Sequence, residues 1–139
     1  MSAAGVYLRF QTARLDRDSH RNEGVFAAAY ALLDCDGLPA WAWREVRRSL
    51  DWFNAHLRRP RRFTKGRNGR RQGLCWFDPA AGACVREARH LAWLCGEHGP
   101  PVFEVRTRTP GVIVYQDRQQ VVAVPGRRRD AALYARTRA

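Results

Sequence analysis

Residues 58–71 read RRPRRFTKGRNGRR, and no packed core can absorb them. Seven arginines and one lysine stand there without a single acid, so the segment repels itself. It must lie in solvent, poorly packed until something neutralises it. Phe63 lies inside the run and offers a stacking surface. A polyanion is the simplest neutralising partner, and nucleic acid is the commonest one in a cell.

The remainder is apolar enough to fold. Apolar residues make up 45% of the 139, including five Trp, six Phe and four Tyr. That length suits one domain with one ordinary core. The net charge of +12 comes from 25 bases against 13 acids. Arg127, Arg128 and Arg129 form a second cluster, and Arg136 and Arg138 follow it. Lys65 is the only lysine and Ile113 the only isoleucine, a bias that GC-rich coding produces without a functional reason. Such a bias accounts for arginine over lysine but not for the surplus of bases over acids.

No apolar stretch approaches the roughly 20 residues of a membrane span, so no membrane partner is expected. The opening MSAAGVYLRF lacks the basic start and apolar centre of a signal peptide. The chain reads as cytoplasmic, with Cys35, Cys75, Cys84 and Cys95 as reduced thiols. No two of them form a C-x-x-C pair, and the reading includes no metal or other cofactor. Cys84 and Cys95 are eleven positions apart, three helical turns, and share a helix face with Ala88 and Leu91. They read as small buried hydrophobes.

Residues 5–12 alternate, with Val6, Leu8 and Phe10 on one side and Tyr7, Arg9 and Gln11 on the other, which predicts a half-buried strand. Phe26, Ala29, Tyr30 and Leu33 then recur at helical spacing up to Gly37. A second helix is expected over 40–57, with Trp43, Val46, Leu50, Phe53 and Leu57 on its core face. After the basic run, residues 72–77 (QGLCWF) read as a short buried strand. Asp78 and Pro79 suit the start of a third helix, over 79–98, whose core face is Cys84, Val85, Ala88, Leu91, Ala92 and Cys95. Strands at 102–108, 112–116 and 120–124 close a meander through turns at Thr109-Pro110-Gly111 and Asp117-Arg118. The order β-α-α-β-α-β-β-β predicts one α+β domain over 1–125, a mixed sheet covered on one face by three helices. Residues 126–139 read as a basic, flexible tail.

The phosphate-binding candidates are Arg58, Arg59, Arg61, Arg62, Lys65, Arg67, Arg70 and Arg71, with Phe63 stacking and Arg127, Arg128 and Arg129 extending the path. Trp41 and Trp52 fall opposite the core face of the second helix, and Trp93 opposite that of the third, each beside arginines. Such indoles serve as stacking platforms for unpaired bases, or belong to a helix sandwiched between its neighbours, or meet a protein partner or second copy. Tyr7, Arg9 and Gln11 form a further candidate, a strand face that single-stranded RNA could use, although any solvated strand face reads the same way.

Signs of catalysis are sparse. His56 or His90 would have to serve a nuclease as acid or base, and Glu87 lies one helical turn from His90. K-G-R-N-G lacks the spacing of a phosphate loop, and no nucleophile motif occurs. The reading is thus a small non-enzymatic protein that binds RNA or DNA, with single strands favoured over duplex. Its alternatives are an interaction subunit of a larger assembly, using the tryptophan-bearing helix face, and a small histidine-dependent nuclease.

Overall fold

A computed structural model describes residues 5–15, 21–60 and 73–125, and the backbone of 135–138. The elements run β1 (Tyr7–Leu15), β2 (Asn22–Gly24), α1 (Val25–Leu33), α2 (Ala40–His56), β3 (Leu74–Phe77), α3 (Gly82–His98), β4 (Phe103–Thr107), β5 (Val112–Gln116), β6 (Gln120–Val124) and β7 (Ala135–Arg138). The fold is α+β and holds the expected elements in the expected order, with β2 and β7 in addition. The strands form one sheet in the order β5-β6-β3-β1-β4-β7, and β2 also pairs with β1. Every pairing is antiparallel, where the sequence reading expected a mixed sheet. The crossover through α1 and α2 sets β3 antiparallel beside β1, and the one through α3 carries the chain past β1 to β4, so no neighbouring strands are parallel.

The helices lie on one face of the sheet. Leu8 and Phe10 of β1 and Phe77 of β3 pack there against Ala29 and Leu32 of α1, Val46, Leu50 and Phe53 of α2, and Leu91 and Leu94 of α3. Phe26, Phe53 and Phe77 meet at centroid distances of 4.9–6.2 Å, within the range of favourable aromatic pairs. Cys84 and Cys95 occupy this core at 1% and 2% exposure, on the face of α3 that their spacing indicates.

The other face of the sheet is apolar too. Tyr7, Trp76, Val105, Val121 and Ala123 form a second buried cluster there. This explains why β6 shows no alternation: Val121, Val122 and Ala123 are all buried, as in a strand covered on both sides.

It also corrects the reading of β1. Tyr7, Arg9 and Gln11 are buried, not a solvated strand face. Arg9 sits where the edge of β1 passes from β3, paired at Leu8↔Phe77, to β2, paired at Gln11↔Gly24. Its guanidinium donates to the carbonyls of Cys75 at 3.2 Å and Asn22 at 3.1 Å, and its Nε to Gln11 Oε1 at 3.2 Å. A Cβ on Gly24 would lie 3.0 Å from that guanidinium, so glycine keeps the space open.

Three local readings change. Trp43 is exposed, with its indole N–H donating to the Leu33 carbonyl at 3.2 Å, and Ala42 and Ser49 take the core stripe of α2 with Val46, Leu50 and Phe53. The third helix starts at Gly82, because Asp78 instead closes a turn, its carboxylate accepting from the Ala80 N–H at 2.9 Å. Ala135–Arg138, expected in the flexible tail, pair with β4 as β7.

Gly111 joins β4 to β5 at φ +119°, where a Cβ would meet the Val124 carbonyl oxygen at 2.1 Å. Only glycine fits that turn. Among the described residues, no helix is long and apolar enough to cross a membrane.

Candidate functional site

A buried glutamine links the residue that opens the basic segment to the strand that follows the segment. Gln120, the first residue of β6, is 2% exposed. Its Nε2 donates to the Arg58 carbonyl at 2.6 Å and to Asp117 Oδ2 at 3.3 Å, and its Oε1 accepts from the Cys75 thiol at 3.0 Å. Arg58 is the first residue of the run, and Cys75 belongs to the strand that resumes after it. Asp117 is held in turn by the Tyr115 hydroxyl at 2.9 Å and the backbone N–H groups of Gln119 and Gln120 at 2.8 and 3.0 Å. Burial pushes the Asp117 carboxyl up, but these hydrogen bonds outweigh it and bring it below its ordinary value.

Of the predicted phosphate contacts, Arg58 and Arg59 fall within the described residues. Arg61, Arg62, Phe63, Lys65, Arg67, Arg70, Arg71, Arg127, Arg128 and Arg129 lie outside them. Both described arginines are exposed, and both turn toward a tyrosine of the fold. Arg59 stands 5.6 Å from the centroid of Phe26 and 5.7 Å from that of Tyr30, with Nη2 3.4 Å from the Tyr30 hydroxyl. Burial raises the Tyr30 phenol, yet the Asn54 hydrogen bond and the Arg59 and Arg47 charges leave it below its ordinary value. The Arg58 guanidinium acts on the Tyr115 phenol in the same sense, although there burial and Asp117 prevail and the phenol is raised. Arg59 is thus a structural residue as well as a base at the edge of the run.

The three indoles separate. Trp52 packs against the helix-side core, edge-on to Phe53 at 5.1 Å and stacked on His56 at 4.4 Å. Trp41 and Trp93 are open, at 52% and 48% exposure. Trp52 is thus covered by its own chain, as in a helix sandwiched between neighbours, whereas Trp41 and Trp93 stay open to a base or a partner.

Trp41 and Trp93 flank a polar seam between α2 and α3. Glu45 Oε1 accepts from Arg48 Nε at 2.8 Å and from His90 Nε2 at 2.9 Å, and Arg48 Nη2 reaches Glu87 Oε1 at 2.8 Å. Hydrogen bonds from His90 and then Arg48 hold the Glu45 carboxyl below its ordinary range. Trp93 stacks on His90 at 6.1 Å and 24°, and Trp41 meets His98 edge-on at 5.4 Å. His90 is therefore bound to Glu45 on the facing helix, not to Glu87 one turn away. On the sheet side of α3, the buried Glu104 carboxylate accepts from Arg89 Nε at 2.9 Å and from Arg106 Nη2 at 2.8 Å.

The two histidines proposed for nuclease chemistry are far apart. His56 Nδ1 donates to the Trp52 carbonyl at 2.8 Å, while His90 meets α2 at Glu45. Eleven residues of helix separate Glu45 from His56, about 16 Å at 1.5 Å per residue, too far for both rings to serve one phosphodiester. Among the described residues, no three His, Cys, Asp or Glu side chains group as a metal site would need. Burial pushes the Cys75 and Cys95 thiols up to about 12 and raises Cys84 as well.

No protein-family model matches this chain, and no curated protein or solved structure is detectably similar to it.

Proposed function

We propose that this chain is a small non-enzymatic nucleic-acid-binding protein, in which the arginine-rich segment 58–71 contacts phosphates. The observation that carries the reading is eight bases without an acid in one short run, on a chain of net charge +12. Nucleic acid relieves that self-repulsion and releases counterions as it binds. The bond from Gln120 to the Arg58 carbonyl is consistent with this reading, since it holds the start of the segment against the sheet. Phe63 stacks on a base, and Arg127, Arg128 and Arg129 extend the phosphate path. RNA or single-stranded DNA is favoured over duplex because an aromatic is interleaved with the bases, and neither a paired reading helix nor its turn is evident in the sequence.

The test is Arg61, Arg62, Arg70 and Arg71 replaced together by Ala, with binding of a fluorescent single-stranded oligonucleotide followed against salt. With five phosphate contacts the parent's log affinity should fall against log salt with a slope near −3.5, at ~0.7 per contact. The variant should bind far more weakly and with a shallower slope. Equal binding by parent and variant ends the proposal.

A second reading, a surface for a protein partner, is favoured by one observation: the half-exposed indoles of Trp41 and Trp93 on a core-anchored helix pair.

A further inference from the structure

α2 and α3 run antiparallel, joined across their seam by Arg48–Glu87, Glu45–His90 and Trp41–His98 in succession. Projected through these cross-pairs, Trp41 and Trp93 rise at the same end of the seam, about one helical turn apart along the axis. Core residues on the opposite side of each helix fix them: Ala42 and Val46 under Trp41, Leu91, Ala92 and Leu94 under Trp93. Two large indoles on such rigid backbone cost little ordering on association, and Trp is enriched in the centres of protein interfaces.

The charge of this face is what selects the partner. Beside the two indoles its bases are Arg44, Arg48, Arg86 and Arg89 and its acids Glu45, Glu87 and Glu97, with Arg89 bound to Glu104. A chain of net charge +12 thus carries a tryptophan-bearing face whose charges nearly cancel. An approaching copy meets little excess positive charge there. Nucleic acid, in contrast, gains least where bases and acids cancel.

Three of these charges also lack a partner of opposite sign. Arg48 is bound to Glu45 and Glu87, but among the described residues Arg44 and Arg86 pair with no carboxylate and Glu97 with no base. Arg44 lies one turn past Trp41, and Glu97 one turn past Trp93. A two-fold axis along the seam lays α2 of one copy over α3 of the other. Trp41 then falls within about 5 Å, along the axis, of Trp93 of the second copy, and Arg44 within about 6 Å of Glu97 of the second copy. An isologous interface makes each contact twice.

We infer that the α2–α3 face is a homodimer interface, with Trp41 packing on Trp93 of the second copy and Arg44 paired with Glu97 of the second copy.

Sedimentation equilibrium of the full chain tests this in ~0.5 M salt, where like-charge repulsion beyond about 5 Å is screened. The parent should reach twice the chain mass by ~100 μM. Trp41→Ser with Trp93→Ser should return it to the single-chain mass with an unchanged far-UV spectrum, both indoles being half exposed. Arg44→Glu alone should weaken the dimer at least tenfold at low salt, and adding Glu97→Arg to the same chain should restore it. A parent at the single-chain mass throughout overturns the inference. So does a charge reversal that the second reversal fails to rescue. If the parent stays at that mass while the two serine substitutions lower oligonucleotide affinity, the face belongs to nucleic acid instead.

Discussion

Gln120 Nε2 lies 2.6 Å from the carbonyl oxygen of Arg58, a bond that spans 62 positions of sequence. The same amide accepts from the Cys75 thiol, so one buried side chain ties the start of the basic run to the strand that follows it. Replacing Gln120 by Leu removes the donor to Arg58 and Asp117 and strands the carbonyl. We expect a loss of about 1–3 kcal/mol, the cost of an unsatisfied polar group. A urea melt should show a lower midpoint with an unchanged slope. Gln120→Glu should cost more, since a carboxylate there faces both the Arg58 carbonyl and Asp117.

The Glu104 cluster sets a pH dependence. Burial raises the Glu104 carboxyl, but hydrogen bonds from Arg106 and Arg89 bring it below its ordinary 4.5, and Asp117 lies below its ordinary 3.8. A depressed native pKa stabilises the fold above the unfolded value and ceases to do so as pH falls through the native one. Melting temperature should therefore hold level above pH 4.5 as far as Glu104 is concerned, and drop below it. Glu104→Gln should lower the melt at neutral pH by an amount equivalent to about 1–3 kcal/mol and flatten the acid limb. An unaltered acid limb in that variant would contradict the role given to Glu104.

Arg59 should behave unlike the arginines after it. Its guanidinium is spread over Phe26 and Tyr30. Arg59→Ala should cost about 0.5–1 kcal/mol of stability through lost cation–π contact. Its effect on the salt slope of nucleic-acid binding should be at most about one contact's share, ~0.7. A thermal melt and a salt titration on the same sample separate the two.

The thiols should differ in reactivity. Cys35 is exposed, Cys84 and Cys95 are buried, and the Cys75 thiol is turned into Gln120 and raised to about 12. Iodoacetamide at mild alkaline pH should modify Cys35 quickly in the native protein, and all four cysteines only in denaturant, because the thiolate is the reactive form. Intact-mass measurement counts the additions. Rapid labelling of Cys84 or Cys95 without denaturant would mean that α3 is not held against the core.

The helices and most strands were legible in the sequence because their apolar periods are clear. Cys84 and Cys95 show this well: an eleven-residue gap placed both on the buried face. Arg9 shows the opposite. A strand that alternates charged and apolar residues reads as half solvated, and nothing local tells that a second cluster with Trp76 and Val105 makes the far face of the sheet apolar. The role of Gln120 was equally out of reach, since its partners are the carbonyl of residue 58 and a thiol at 75. The wheel sets Trp52 opposite the core face of α2 but does not say whether a base, a partner or its own chain covers it, which the packing on Phe53 and His56 shows. The arginine-rich candidates were legible as a charge pattern, which names a class of ligand but no geometry.

The position of β1 has a consequence for how the chain is made. This strand precedes the other described elements, yet it lies inside the sheet, between β3 and β4. Its longest ladder joins Tyr7 to Thr107, a hundred positions later. A ribosome delivers Tyr7 about a hundred residues before Thr107, so this edge of β1 waits unpaired while α1, α2, β3 and α3 are made. Folding must then be completed late and through distant contacts, which makes it slow and leaves an adhesive strand on the growing chain.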